Sequence, residues 1–406
     1  MIFLHGYFMY TPKLSPTRGF MIESAQPIRN HDIDLVKRIL NENDEVIIGI
    51  GNALYSHETD NIMTAGERIE VTDYALKSSG VDPNRYMIIP VENIPDSATS
   101  WVAEIMMVTP RWNTFYTRNF KNASMFSSFE TQYRYNIKTI EEQLPEKDYY
   151  GLIADFLNKS KSSLEELLVY IPGSALEKIN ELGVLDRIST VYNRKNSDFN
   201  KSRLEKRALF LGGLQPLTGV YSENTGHMNA IRLALEKEDQ VVIAIGSAQK
   251  CLEESDPLKA GQRIEVVRYA LLANGIDASK FYILPIKDIN ENAKFASKVI
   301  SLCPSFSSVI AGNDWTKRLF GEGNYNIIEV KRTKIPDTTL PISATRVRNT
   351  IIDTIKNNET KESNISTETK AKIESSLQNI LDPKTMEILK EVGFYDIMKF
   401  LAFAKE

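Results

Sequence analysis

Two short segments in the second half of the chain concentrate residues suited to phosphate chemistry. The first reads RALFLGGLQP over residues 207–216 and resumes at Asn224-Thr225-Gly226-His227, just before an amphipathic stretch. A strand feeding a glycine loop and then a helix start is an anion site in outline. Gly212, Gly213 and Gly226 permit close backbone approach, and the first helical N–H groups attract phosphate. Gln215 lies in that loop, and His227 falls where it would meet a bound phosphate. Taken alone, the segment would read equally well as a tight turn followed by a helix-start histidine. The second segment, Ile342-Ser343-Ala344-Thr345-Arg346-Val347-Arg348, follows Pro341 and leads into a helix beginning near Val347. Ser343 and Thr345 can donate to phosphate oxygens, Arg346 adds a cation, and Arg348 can grip a triphosphate through paired charge-assisted contacts. An N-capping serine with solvated arginines is the alternative for that segment by itself. The presence of both segments together favours chemistry at a nucleotide phosphate.

These residues must be held by a larger scaffold. Short β-rich runs at 207–211, 240–246, 281–285 and 307–311 alternate with helical stretches at 228–236, 260–273 and 293–302. Strands joined by helical crossovers predict an α/β fold, a doubly wound parallel sheet whose ligands sit beyond the strand C-termini. The sequence also repeats. Gln26-Pro27 matches Gln215-Pro216 at an offset of 189, and from Val46 onward an offset of 195 pairs Gly51 with Gly246, Gly66 with Gly261, Arg68 with Arg263 and Glu70 with Glu265. The change of offset marks a six-residue insertion after Pro216. A one-residue adjustment then pairs Trp101 with Phe295, Pro110 with Pro304 and Asn119 with Asn313. Two tandem domains follow, residues 1–200 and 201–406, joined through a polar linker at 192–206. A second polar stretch, 356–376, reads as a flexible surface insertion.

Composition narrows the function classes. The 406 residues carry a formal net charge of −4, so a broad basic surface for nucleic acid is not indicated. Cys251 and Cys303 are the only cysteines and the histidines number four, which excludes a disulfide scaffold and a Cys/His zinc cluster. No protein-held metal site is expected, and a reducing, cytoplasmic setting fits. The apolar opening Met1-Ile2-Phe3-Leu4 soon meets Pro12 and Pro16 and reads as an edge strand or arm. No apolar run approaches the roughly 20 residues that span a membrane.

A glycine loop ending in His-x-Gly-His and a late Ile-Ser-x-Thr-x-x-Arg together resemble the signature of the nucleotidyltransferase superfamily. Within it the chain is most similar to archaeal-type nicotinamide-mononucleotide adenylyltransferases. Their opening Arg-Gly-x-x-Ile-Gly-Arg-Phe-Gln-Pro-Phe-His-x-Gly-His aligns without a gap to the first copy from Arg18 to Asp32. Their Gly-Ser-Ala-Gln matches Gly246 to Gln249, and Ser56, His57, Asn61, Thr64, Ala65, Gly66, Glu67 and Arg68 match a further family segment. The resemblance implies two Rossmann-like domains and attack of a nucleotide 5′-phosphate on the α-phosphorus of ATP, with Mg²⁺ bridging phosphates. It implies that His227 donates to the phosphoryl oxygens, that Arg348 and Arg263 neutralise the triphosphate, that Phe295 stacks on the nicotinamide ring, and that Asp288 and Asn313 lie near it. Phosphopantetheine or another phosphate acceptor would use the same two motifs.

The two copies depart from that pattern unequally. In the first, the loop glycine is Glu23, the loop arginine is Ser24, and the histidine quartet has become Arg29-Asn30-His31-Asp32; no Ser-x-Thr-x-x-Arg counterpart occurs around residues 149–152. Trp101 and Asn119 survive there, which leaves that copy as a packing partner or a non-catalytic nucleotide binder. In the second copy Gly213 replaces the loop arginine and Asn224 the first histidine, and the inserted LTGVYSEN carries no positive charge. One lost donor at such a site costs about 2.7–4 kcal/mol, so a sensor or scaffold is the competing class. The duplication is compatible with a homo-oligomer or with a pseudo-dimer inside one chain.

Overall fold

The computed structural model describes residues 11–58, 60–94, 97–130, 134–141, 149–157, 167–191, 206–289, 291–321, 325–331, 333–336 and 338–404. The opening apolar run and residues 192–205 of the linker lie outside them. In the first copy, β1 (Arg18–Glu23), β2 (Glu45–Ile50), β3 (Tyr86–Pro90), β4 (Thr114–Thr117) and β5 (Asn136–Thr139) form one sheet in the order 3-2-1-4-5. In the second, β6 (Arg207–Gly212), β7 (Gln240–Ile245), β8 (Phe281–Pro285), β9 (Ser308–Ala311) and β10 (Asn326–Glu329) repeat that order. Every strand pair is parallel. Strands β2, β3, β7 and β8 are buried along their whole length because helices cover both faces, whereas the edge strands β5 and β10 are largely exposed.

The crossovers of the first copy are α1 (Asn30–Glu42), α2 (Ala65–Ser78), α3 (Ala98–Val108) and α4 (Phe120–Ser127), followed by α5 (Tyr149–Leu157), α6 (Gly173–Glu181) and α7 (Val184–Val191). Those of the second are α8 (Gly226–Lys237), α9 (Ala260–Ala273), α10 (Asn292–Leu302) and α11 (Asp314–Gly321). The chain then continues into α12 (Ala344–Asn358), α13 (Thr367–Leu377), α14 (Pro383–Glu391) and α15 (Phe394–Phe403). In each sheet the strand order reverses beside the first strand, between β1 and β4 and between β6 and β9. That reversal opens a crevice at the strand C-termini. The stretch 356–376 is not an unstructured insertion. It contains α13, whose Ile373 and Leu377 are buried, and Glu359 accepts hydrogen bonds from the Ser366 amide and the Thr369 hydroxyl. Apolar residues at helical spacing, diluted by polar neighbours, hid this element in the sequence.

The copies pack on each other about a pseudo-twofold relation. Edge strands β3 and β8 meet, α2 packs on α10, and α9 on α3. Two buried ion pairs repeat in mirror fashion: Arg18 to Glu265 at 3.0 Å and Arg207 to Glu70 at 2.8 Å. Gly66 lies against the Cys303 carbonyl and Gly261 against the Thr109 carbonyl, so close that a Cβ would fall 1.9 and 1.8 Å from those oxygens. Both glycines are therefore required by close approach of one copy's helix to the other's backbone. Each apolar core cluster draws side chains from both copies.

Candidate active site

The loop after β6 is held from three sides. Arg263 on α9 is fully buried and donates to the carbonyls of Gly213 at 2.8 Å, Gly246 at 2.7 Å and Ser247 at 3.0 Å. Arg348 on α12 donates to the Gln215 carbonyl at 2.6 Å and to Thr345 Oγ1 at 3.3 Å. His227 on α8 accepts the Thr218 backbone N–H at Nδ1, 3.1 Å away. A backbone amide can only donate, so neutral His227 carries its proton on Nε2. The glycine loop, the histidine and the late arginine are thus gathered at the C-terminal end of β6.

Several residues take other positions than expected. Arg263 is committed to three carbonyls, and burial without a carboxylate partner pushes its guanidinium down to about 10. Its geometry is that of a brace between the loops after β6 and β7, not of a cation reaching for a triphosphate. Gln215 likewise turns inward, its side-chain amide pairing with both the N–H and the carbonyl of Leu258 at 3.0 Å. The Gly226 N–H donates to Thr333 Oγ1 at 2.7 Å and the Met228 N–H to the Thr218 carbonyl, so two amides at the start of α8 already have partners. Gly226 and Gly219 are in the left-handed region and touch backbone to backbone, which folds the inserted loop against the helix start. Gly213 leaves open backbone just after β6, while Gly212 lies against the side chains of Phe210 and Leu214.

Ser343 caps α12 by accepting the Arg346 N–H at 3.3 Å, and the helix begins at Ala344, earlier than the spacing indicates. Thr345 is exposed, Arg346 half-buried and Arg348 buried, and burial lowers the Arg348 guanidinium from its ordinary value. Asp288 is exposed after β8 and accepts the Ser247 N–H at 3.0 Å, joining the loops after β7 and β8. Asn313 is exposed after β9 and caps α11 by accepting the Thr316 N–H at 2.8 Å. Phe295 is only 4% exposed, with its ring 5.8 Å from that of Trp315, which is 45% exposed. The aromatic surface offered to a ligand here is therefore Trp315's. Thr218, Thr333 and Trp315 were not legible in the motifs, because two act through backbone contacts and the third falls at a position where the first copy has Lys121.

In the first copy the equivalent loop is closed by charge pairs. Asp32 accepts the Arg29 backbone N–H at 3.1 Å, the Arg29 guanidinium at 2.8 Å and Arg118 at 2.9 Å. Glu23 pairs with both arginines at 3.3 Å. Burial, followed by the neighbouring Asp32, pushes the Glu23 carboxyl up to about 7. Arg68 repeats the bracing of Arg263, donating to the carbonyls of Ser24, Gly51 and Asn52.

No protein-family model matches the chain. Among curated proteins, it is 37% identical over 147 residues to the nicotinamide-nucleotide adenylyltransferase of Pyrobaculum aerophilum, covering 36% of this chain and 77% of that protein. It is also 37% identical over 123 residues to the enzyme of that name from Ignicoccus hospitalis, covering 30% and 68%. Among solved structures, a bifunctional NMN adenylyltransferase/ADP ribose pyrophosphatase from Francisella tularensis aligns at a TM-score of 0.31 and 19% identity, over 47% of this chain and 54% of that one. No described helix is long and apolar enough to cross a membrane. Two parallel sheets of one strand order, a histidine and an arginine held against one glycine loop, and the 37% identities to the Pyrobaculum and Ignicoccus proteins lead to one conclusion: the chain belongs to the nicotinamide-nucleotide adenylyltransferase family.

Proposed function

We propose that the C-terminal copy, residues 201–406, transfers the adenylyl group of ATP to nicotinamide mononucleotide or its nicotinate analogue. An oxygen of the acceptor's 5′-phosphate attacks the α-phosphorus, the bond to the bridging oxygen toward the β-phosphorus breaks, and the dinucleotide and pyrophosphate leave. The observation that carries this reading is His227. The Thr218 amide fixes its tautomer with the proton on Nε2, on the same loop that Arg348 grips. A donor held in that state costs no reorganisation when charge develops on the phosphoryl oxygens. Thr345 and Arg346, at the start of α12, supply further contacts to the triphosphate, while Arg263 and Gln215 act as positioning residues that fix the loop. Asp288, Trp315 over Phe295, and Asn313 line the acceptor side.

Among the described residues no group of three or more His, Cys, Asp or Glu converges as metal ligands. Mg²⁺ would arrive on the phosphates of ATP, and no step above depends on it. The two free thiols, Cys251 and buried Cys303, suit a cytoplasmic setting. Gly213 in place of an arginine favours a second reading, a nucleotide sensor that binds without turnover. Incubation with ATP, Mg²⁺ and nicotinamide mononucleotide decides between them: the proposal expects NAD and pyrophosphate in equal amounts. Tight ATP binding without pyrophosphate, with phosphopantetheine and nicotinate mononucleotide also inert, would establish the sensor.

A further inference from the structure

The two copies do not meet as equals. From the loop after β8, Lys287 reaches two carboxylates of the first copy, Glu104 on α3 at 2.7 Å and Glu92 after β3 at 3.1 Å. Lys298 on α10 approaches Glu92 at 3.0 Å. All four side chains are mostly buried, none more than 19% exposed. Burial works to lower the Lys287 ammonium, but the hydrogen bond to Glu104 and the charges of Glu104 and Glu92 raise it above its ordinary value. The lysine therefore stays a cation, and the carboxylates of the other copy are what make its burial tolerable.

These four residues are counterparts in the repeat. Glu92 corresponds to Lys287 at the offset of 195, and Glu104 corresponds to Lys298 at 194. The contacts Lys287–Glu104 and Lys298–Glu92 are therefore one contact seen from either side of the pseudo-twofold, with its charges reversed between the copies. The other interface pairs are unlike this: Arg18 matches Arg207 and Glu70 matches Glu265, so both copies keep the same signs. Two C-terminal halves packed in this way would set lysine against lysine, which like-charge repulsion disfavours. The carboxylates that Lys287 and Lys298 need thus come from the copy that has lost the phosphate motifs.

Lys287 immediately precedes Asp288, so the network ends on the site loops of the second copy. The Asp288 carboxylate accepts the Ser247 N–H at 3.0 Å, the Asp288 N–H donates to Gln249 Oε1 at 3.0 Å, and the Ala248 N–H donates to the Ile286 carbonyl at 3.1 Å. The loop after β8 is thus tied on one side to the loop after β7 and on the other, through Lys287, to the first copy. We propose that the N-terminal copy is a positioning partner for the site of the second: Glu92 and Glu104 hold Lys287 and, through it, fix Asp288. That Asp288 faces the acceptor rests on the adenylyltransferase reading; the anchoring of its loop does not.

Amide hydrogen exchange of the full chain tests the proposal on three proteins: wild type, the double variant Glu92→Gln/Glu104→Gln, and the charge swap Glu92→Lys/Glu104→Lys/Lys287→Glu/Lys298→Glu. The glutamine pair leaves both lysines without carboxylates, and exchange over 246–249 and 286–289 is expected to speed up roughly tenfold or more. Protection in β6 is expected to stay at the wild-type level. The swap rebuilds the same pairs with their signs exchanged and is expected to restore protection of both loops. In the NAD-forming reaction, KM for the mononucleotide rises in the glutamine variant while kcat and KM for ATP hold, and the swap reverses the rise. Unchanged loop exchange in the glutamine variant, exchange that rises equally throughout both copies, or a swap that restores nothing would overturn the proposal. Absence of NAD from all three proteins would sink the adenylyltransferase reading, while the exchange comparison still decides this one.

Discussion

Replacing Arg263 by methionine separates bracing from phosphate binding. The guanidinium makes three hydrogen bonds to backbone carbonyls of two loops and is fully buried. Hydrogen bonds to a charged group contribute about 1.5–3 kcal/mol each, offset by the cost of keeping an unpaired cation out of water. Breaking such a buried arrangement from one side costs about 3–5 kcal/mol. In a domain of this size each kcal/mol moves the midpoint by roughly 2–4 °C, so Tm should fall by about 10 °C. The chain contains its own control. Arg68 makes the same three-carbonyl contact in the copy without the phosphate motifs. Thermal and urea unfolding of Arg263→Met and Arg68→Met should therefore show similar losses. NAD synthesis, assayed well below both transitions, should drop in Arg263→Met through kcat, as the loop loosens, with KM for ATP little changed. An Arg263→Met protein of wild-type stability whose KM for ATP has risen tenfold would refute the reasoning and return Arg263 to direct contact with the triphosphate.

Two further predictions concern the partnership of the copies and the charge cluster of the first. Gly66→Ala and Gly261→Ala should each destabilise the whole chain by about 3 kcal/mol, the upper end of overpacking costs, because the clashing atom is a backbone oxygen of the other copy; calorimetry showing only one half of the chain affected would contradict the shared core. Folded Glu23 holds its proton up to about 7, against an ordinary value of 4.5. The folded state therefore binds more protons across that window, and stability falls as pH rises through it, by up to about 3 kcal/mol. Glu23→Gln should remove that slope; a wild-type protein whose stability is flat from pH 4.5 to 7 would disprove the assignment.

Much of the architecture was legible from periodicity and from self-comparison of the chain. The helix Ala260–Ala273 and the strand Phe281–Pro285 fall at their expected limits because apolar runs bounded by Asn-Gly and Pro carry the signal locally. The site was legible as motifs but not as roles. Arg263 and Gln215 stand within nucleotide-binding segments, yet their partners are carbonyls and amides of the chain's own loops, which no spacing pattern reveals. Phe295 reads as a ligand-facing ring only while Trp315 is unknown to lie over it. The closure of the first copy depends on Arg118, far in sequence from Glu23 and Asp32 and brought to them only by the neighbouring position of β4 beside β1. The acidic residues that replace the loop motif in the first copy are paired with Arg29 and Arg118.

The most direct test is the rate of NAD formation by two variants at matched positions of the repeat, His227→Ala in the second copy and Asp32→Asn in the first. Chemistry confined to the C-terminal copy predicts a loss of about 10²-fold or more for His227→Ala and a rate within twofold of wild type for Asp32→Asn. Equal losses in both, or substantial activity surviving His227→Ala, would contradict it.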